Sequence, residues 1–149
     1  MTNKNSSYSI LVVDDEPLIR KSLYEILKIE GFDTHTAVNG EDAISLFSSR
    51  SFDIVITDMK LPKMSGLELL SSIKKASPLT EVILITGYGS IESAVNAMKQ
   101  GAFDYVTKPI VDDEIKILIS KIIEKNACWK RTAAFASWYP KINARHFAG

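Results

Sequence analysis

The sequence predicts an α/β protein with a doubly wound, five-stranded parallel sheet in the strand order 2-1-3-4-5. Three observations support this prediction. Apolar segments of strand length alternate five times with segments whose apolar residues recur at helical spacing. The strand segments are apolar almost throughout, which is typical of a parallel sheet covered by helices on both faces. Acidic or hydroxyl residues directly follow several of them, as at the ligand-binding edge of such sheets, and this strand order is one of the two common arrangements.

The strand segments are short and rich in β-branched residues. The predicted strands cover residues 9–13, 33–37, 52–57, 81–85 and 103–107. Because none of them contains proline or an internal turn signal, each can lie inside a sheet.

Helix-start signals separate these strands. Pro17 suits the first turn of a helix, where its missing N–H is not needed. Ser65 and Glu68 have the spacing of a capping box, in which each side chain satisfies a free backbone N–H. A fourth helix is predicted over residues 90–100, and the last over residues 112–125, acidic at its start and basic at its end.

Length and composition indicate one soluble domain. The 149 residues are 46% hydrophobic and 24% charged. We expect a disordered lead over residues 1–8, a folded domain over 9–126 and a tail or linker over 127–149. No apolar run approaches the roughly 20 residues of a membrane span, and the polar start lacks a signal peptide, so a cytoplasmic location is expected. The single cysteine, Cys128, excludes an internal disulfide and any multi-cysteine metal site.

The charge distribution argues against direct nucleic-acid binding. The formal net charge is zero, but the last 21 residues carry four basic side chains and no acidic one. The rest of the chain therefore has a net charge of −4. A domain of that sign repels the phosphate backbone.

Polar side chains stand at the predicted carboxyl ends of four strands. Asp14 and Asp15 follow the first strand, Asp58 the third, Thr86 the fourth and Lys108 the fifth. In the predicted order the third strand lies between the first and the fourth, so Asp58 is central. The fifth strand lies two strands away, roughly 10 Å at the usual spacing, a gap that a long lysine side chain helps to bridge.

This set of residues favours phosphoryl-transfer chemistry. Carboxylates brought together repel one another, and a hard divalent cation relieves that repulsion. Oxygen ligands in a loop-lined cleft suit Mg²⁺, while the absence of histidine and cysteine near these strand ends argues against zinc. A carboxylate nucleophile, a metal ion and a lysine together can accept a phosphoryl group and neutralise its oxygens.

Five segments carry a specific resemblance to one family. They read VVDDE at 12–16, TDMKLP at 57–62, MSGLE at 64–68, ITG at 85–87 and KP at 108–109. Over about residues 10–123 the sequence resembles the receiver domains of response regulators in two-component signalling, whose fold is flavodoxin-like. The segments TGYG at 86–89 and GAFDYVTKP at 101–109 resemble, more narrowly, receivers of the nitrogen-regulation type. Those usually precede an ATPase domain that activates the alternative sigma factor, followed by a DNA-binding helix-turn-helix.

The resemblance implies a phosphoacceptor and a magnesium site. Asp58 would accept the phosphoryl group. Asp15, with Asp14 bound directly or through water, would hold Mg²⁺ together with Asp58 and the backbone carbonyl of Lys60.

The resemblance also implies a switch. Thr86 and Lys108 would bind the phosphoryl oxygens, and Lys108-Pro109 would be a cis peptide. Tyr105 would swing inward when Thr86 moves toward the phosphoryl group. This movement would change the surface formed by the fourth helix, the fifth strand and the last helix.

The expected function is that of a phosphorylation-activated regulator that acts on no substrate other than its own phosphodonors. A sensor histidine kinase, or a small phosphodonor, would supply the phosphoryl group. The chain would catalyse only its own phosphorylation and slow dephosphorylation, and would take part in transcriptional regulation without binding nucleic acid or membrane itself. The chain is also expected to form a homodimer through the switching surface.

Two alternatives compete with this interpretation. An aspartate-nucleophile phosphohydrolase characteristically needs a second acid two residues after the nucleophile, and that position is Lys60 here. A phosphorylation-independent pseudo-receiver would be expected to have lost the acceptor, an acid or the lysine, and this chain retains all three.

Overall fold

The computed structural model describes residues 7–87 and 91–131, except for the side chains of residues 91, 93 and 126–131. Strands and helices alternate throughout. In chain order the elements are β1 (Ser9–Val13), α1 (Pro17–Ile29), β2 (Asp33–Ala37), α2 (Gly40–Ser49), β3 (Ile54–Asp58), α3 (Gly66–Ala76), β4 (Glu81–Thr86), α4 (Ile91–Lys99), β5 (Asp104–Thr107) and α5 (Asp112–Arg131).

The five strands form one parallel sheet in the order β2-β1-β3-β4-β5, which confirms the predicted topology. β3 lies at the centre, paired with β1 on one side and β4 on the other. At the carboxyl edge the register places Asp58 beside Ile85, and Thr86 beside Thr107. Consecutive strand ends therefore finish at nearly the same level, and the residues that follow them meet at one edge.

The three central strands, β1, β3 and β4, are buried on both faces because most of their residues are apolar. The edge strands β2 and β5 are more polar and only partly buried. One face contributes Leu11, Val55 and Leu84 to a cluster that also contains side chains from α2, α3 and α4. The alternate residues of the same strands, such as Ile10 and Ile56, point to the opposite face and are fully buried. α1 contacts β1 and β2.

Local sequence signals set the helix starts. Pro17 occupies the first turn of α1 as predicted. The side chain of Asn39 accepts a hydrogen bond from the backbone N–H of Asp42 at 2.8 Å and so caps α2. The Ser65 hydroxyl accepts one from the N–H of Glu68 at 3.2 Å and caps α3.

The ends of the folded region differ from the predicted boundaries. Tyr8, assigned to the lead, is buried, and its carbonyl accepts a hydrogen bond from the N–H of Asp33 at 3.2 Å. α5 continues to Arg131 rather than ending near residue 125, because residues 126–131 contain neither proline nor glycine to stop a helix. The remainder of the predicted lead and tail, residues 1–6 and 132–149, lies outside the described residues.

The chain divides into two compact units after Asp112. The first contains all five strands and helices α1 to α4, and the second contains α5 from Asp113 onward. Within the second unit, Ile115, Leu118, Ile119 and Ile122 are buried, as their helical spacing predicted. Across residues 7–87 and 91–131, none of the helices combines the length and the apolar composition that a membrane crossing requires.

The first residue of α3 packs directly on the backbone that carries Asp58. The N–H of Gly66 donates to the carbonyl of Met59 at 2.8 Å. A Cβ added at Gly66 would overlap the Asp58 carbonyl oxygen and would lie 2.7 Å from the Met59 Cα. Only glycine therefore lets the helix approach this closely, and the approach fixes the end of β3.

We expect Gly66→Ala to lower the free energy of unfolding by about 1–3 kcal/mol, because the obstructing atoms are backbone and cannot rotate away. Gly87→Ala is the matched control, since a Cβ there would meet nothing within 4 Å, and its effect should stay within about 0.5 kcal/mol. Urea denaturation measures both. Equal losses in the two variants would contradict the close-packing explanation.

Candidate functional site

The candidate site lies at the carboxyl edge of the sheet. Asp14 directly follows β1, Asp58 ends β3, Thr86 ends β4 and Lys108 directly follows β5. The backbone N–H of Lys108 donates to the Thr86 carbonyl at 2.8 Å, which continues the strand ladder one step beyond β5. The parallel topology thus delivers four chemically active residues to one edge, as such sheets do for their ligands.

Asp58 is a buried carboxylate with two donors. Its Oδ2 accepts a hydrogen bond from the Lys108 Nζ at 3.0 Å, and its Oδ1 accepts one from the Lys60 backbone N–H at 3.1 Å. The side chain is 5% exposed. The lysine after β5 does span the two strand spacings to β3, so the two groups form a charge-assisted pair at the centre of the edge.

Asp14 has the least favourable surroundings for a negative charge among the carboxylates of the site. It is fully buried, and its Oδ1 accepts a hydrogen bond from the Glu16 N–H at 2.8 Å. Its Oδ2 is buried without a hydrogen-bond partner, the one such side-chain atom among the described residues. Burial, with the nearby Asp58 carboxylate adding to it, raises the pKa of Asp14 to about 6 despite the hydrogen bond from Glu16.

Three carboxylates converge at this edge. One oxygen each from Asp14, Glu16 and Asp58 lies within 4.8 Å of the others. Asp15, predicted as a principal metal ligand, is exposed and is not a member of this cluster. The acidic residue that clusters with Asp14 and Asp58 is Glu16, which was not among the predicted ligands, and the role of Asp15 stays a prediction.

The position of Glu16 follows from the turn between β1 and α1. Glu16 has an extended backbone (φ −85°, ψ 117°) and is the N-cap residue of α1, immediately before Pro17. Pro17 was the available signal, since the residue before a proline is held in an extended conformation. The direction in which each of three successive acids points, however, depends on backbone angles that composition alone does not determine.

Lys108 is shared between two of these acids. Besides Asp58, its Nζ donates to Glu16 Oε1 at 3.1 Å. Partial burial would lower the pKa of Lys108, but the hydrogen bonds to Asp58 and Glu16, together with the charges of Asp58 and Asp14, raise it overall. The lysine is therefore held as a cation at neutral pH.

The remaining predicted residues belong to β4, to β5 and to the segments that follow β3 and β5. Thr86 is buried, and its hydroxyl donates to the Val106 carbonyl at 3.5 Å. Tyr105 is 40% exposed on β5. Lys60 is exposed and contributes its backbone N–H to Asp58, and the Lys108-Pro109 peptide is cis.

The sequence profile of the response regulator receiver domain matches residues 10–120. The chain belongs to this family. The resemblance found in the five motifs is thereby confirmed, and the five-stranded architecture above is that of a receiver.

Individual relatives agree with the narrower resemblance. The receiver is 43% identical over 121 residues to an NtrX-like response regulator of Rickettsia bellii, covering 80% of this chain and 25% of that protein. It is 39% identical over 115 residues to the regulatory protein AtoC of Escherichia coli, covering 77% of this chain and 25% of that protein. The receiver therefore spans about a quarter of the length of these curated relatives.

A solved structure matches the fold over its full length. The receiver superimposes on a response regulator receiver domain protein from Clostridium thermocellum with a TM-score of 0.77 and 39% identity. The match covers 81% of this chain and 98% of that one.

The buried charge of Asp14 predicts a stability effect. Since the pKa of Asp14 is raised from 3.8 to about 6, ionisation disfavours the folded state above pH 6, and this penalty disappears as the pH falls toward 3.8. Without added divalent cation, Asp14→Asn should raise the free energy of unfolding by about 1–3 kcal/mol at neutral pH and by less in acid. The asparagine amide can donate to the neighbouring carboxylates.

Urea denaturation at several pH values measures this difference. Asp15→Asn is the matched control, because Asp15 is exposed, and its effect should remain within about 0.5 kcal/mol. A destabilised Asp14→Asn variant at neutral pH would show that the buried charge is already compensated.

Proposed function

We propose that this receiver accepts a phosphoryl group on Asp58 in the presence of Mg²⁺ and signals through the surface of α4 and β5. The observation that carries the proposal is the pairing of the buried Asp58 carboxylate with Lys108 Nζ at 3.0 Å, beside the unpartnered oxygen of Asp14. A nucleophile, a cation for the phosphoryl oxygens and a carboxylate oxygen suited to bind a metal ion thus belong to one site.

The carboxylates fit a magnesium ion. Asp14 Oδ2 lacks any hydrogen-bond donor, and the three clustered oxygens crowd negative charge into a small volume. Mg²⁺ prefers oxygen ligands and retains water, which suits two or three carboxylates at an open edge. Asp14 and Asp58 are the proposed protein ligands, with Asp15 and the Lys60 backbone carbonyl completing the set that the family resemblance implies. When bound, the ion would neutralise charge on the phosphoryl oxygens.

The transfer itself needs few protein groups. An oxygen of Asp58 forms a bond to phosphorus, the bond from phosphorus to the donor's leaving atom breaks, and the leaving group departs with the electron pair. Lys108 is positioned to stay with the phosphoryl oxygens, because its Nζ already contacts the attacking carboxylate. Thr86, at the end of the neighbouring strand, supplies a hydroxyl that can turn from the Val106 carbonyl to the same oxygens.

The site favours a signalling domain over a phosphohydrolase. Rapid hydrolysis of an aspartyl-phosphate requires a group that takes a proton from water beside the acceptor. Two residues after Asp58 the chain has Lys60, which is exposed and offers only its backbone N–H to Asp58. The position two residues after the acceptor therefore supplies no general base, and the acyl phosphate should persist.

The partners follow from the chemistry and from the relatives. We propose a sensor histidine kinase as the physiological donor. The relatives are longer regulatory proteins, so transcriptional output would reside in parts of such proteins beyond the receiver. A cytoplasmic location and a homodimer through α4 and β5 belong to the same proposal.

We expect the chain, incubated with Mg²⁺ and acetyl phosphate, to gain the mass of one phosphoryl group. Asp58→Asn should gain none, because the amide is not a nucleophile of comparable strength, while Asp42→Asn, an exposed aspartate on α2, should behave as wild type. Intact-protein mass spectrometry with and without EDTA measures the gain. Phosphoryl uptake that survives Asp58→Asn, or that ignores EDTA, would sink the proposal.

The switch proposal rests on the positions of Thr86 and Tyr105. Thr86 is buried at the end of β4, and Tyr105 lies partly exposed on the adjacent β5. Tyr105, Val95 and Met98 line a groove of about 360 Å³ between β5 and α4. A phosphoryl group adds roughly 1.5 to 2 negative charges, which would attract the Thr86 hydroxyl and leave space for Tyr105 to move inward.

Thr86→Ala should uncouple phosphorylation from this movement. With Mg²⁺ and beryllofluoride, which mimics the phosphoryl group, wild type should show amide shifts at residues 95–106, and Thr86→Ala should show them much reduced while still binding at Asp58. Thr107→Ala, the exposed register partner of Thr86, is the control and should respond as wild type. Equal shifts in all three proteins would remove Thr86 from the switch.

A further inference from the structure

Lys108 has two carboxylate partners that differ sharply in exposure. Asp58 contacts its Nζ from inside the site at 3.0 Å, with a side chain that is 5% exposed. Glu16 contacts the same nitrogen from outside at 3.1 Å, with a side chain that is 56% exposed. Glu16 therefore stands at the mouth of the site, between Lys108 and solvent.

The Glu16 carboxylate is not explained by the start of the helix. The N-cap side chains that accept a hydrogen bond from a backbone N–H in the first turn are chiefly those of serine, threonine, aspartate and asparagine. Glu16 is the N-cap of α1, yet its side chain makes no such bond. Its carboxylate is turned instead toward Lys108, a residue 92 positions away in sequence.

We propose that Glu16 is a specificity-determining residue that disfavours small anionic phosphodonors by competing with them for Lys108. This inference rests on the proposed phosphorylation of Asp58. A phosphodonor must bring anionic oxygens to Lys108, and it meets the Glu16 carboxylate both as a competitor for the ammonium and as a repelling charge. The bond changes at phosphorus are those described above, with acetate as the leaving group when acetyl phosphate is the donor.

The magnitude of this effect can be bounded. Two unit charges about 5 Å apart interact by about 1 kcal/mol in a well-solvated site. Removal of the Glu16 charge should therefore raise the rate constant for phosphorylation at low donor concentration by about three- to tenfold, chiefly through a lower KM. The gain should shrink with added salt, because Glu16 is exposed to screening ions.

The decisive experiment compares Glu16→Gln with wild type in the full chain at saturating Mg²⁺. Glutamine keeps the size of the side chain and removes its charge. Glu25→Gln, an exposed glutamate on α1 for which the described structure shows no contact with the site, is the matched control and should equal wild type. Initial rates are measured with acetyl phosphate, a dianion, and with phosphoramidate, whose protonated nitrogen reduces its net charge.

A larger gain for acetyl phosphate than for phosphoramidate, lost at high salt, supports the proposal. A purely structural role for Glu16 would alter both donors alike and would not respond to salt. Unchanged rates in Glu16→Gln, with wild type phosphorylated normally, overturn this inference and leave the proposed function standing. A wild-type chain that takes up no phosphoryl group overturns both.

A second readout separates Glu16 from the metal ligands. Amide NMR shifts during a Mg²⁺ titration without donor give the metal affinity of each variant. Through the lost charge alone, Glu16→Gln should lower the Mg²⁺ affinity by about tenfold at most, and added salt should shrink this loss. A larger loss that persists at high salt would make Glu16 a metal ligand and overturn its assignment as a competitor for Lys108.

Discussion

The crowding of negative charge at the carboxyl edge of the sheet is the constraint on which the rest of this receiver depends. Asp14 directly follows β1, and Asp58 ends β3, the strand paired with β1. The parallel register therefore places the two side chains in one small region. Burial makes this arrangement costly, as the raised pKa of Asp14 shows. The same crowding would favour a bound cation, because a cation relieves a repulsion already present in the folded state.

Packing holds this unfavourable arrangement in place. The mostly apolar central strands are buried on both faces of the sheet, and Gly66 lets α3 pack against the backbone of Asp58. Since the surrounding elements are fixed by hydrophobic burial, the carboxylates cannot separate to reduce their repulsion. The free energy gained by packing the core thus compensates for the repulsion at the carboxyl edge. This is the usual relation between a scaffold and its functional site.

The sheet topology was predictable from sequence, and the directions of individual side chains were not. The alternation of strands and helices predicted a doubly wound parallel sheet, and the order 2-1-3-4-5, one of its two common arrangements, placed Asp58 and Lys108 within reach of each other. The run of three acids after β1 was recognised as important, but the choice between Asp15 and Glu16 depends on the extended turn before Pro17. The end of α5 was missed for a related reason, because a basic last turn permits a helix to stop without forcing it to.

Lys108 contacts two carboxylates at this edge that differ in exposure. In the unphosphorylated receiver it balances a buried carboxylate against an exposed one, at nearly equal distances. A phosphoryl group on Asp58 would replace a single carboxylate by three strongly accepting oxygens. Lys108 would then favour the Asp58 side over Glu16. The backbone N–H of Lys108 also donates to the Thr86 carbonyl. The residue that contacts the proposed acceptor through its side chain is therefore joined to the end of β4 through its backbone.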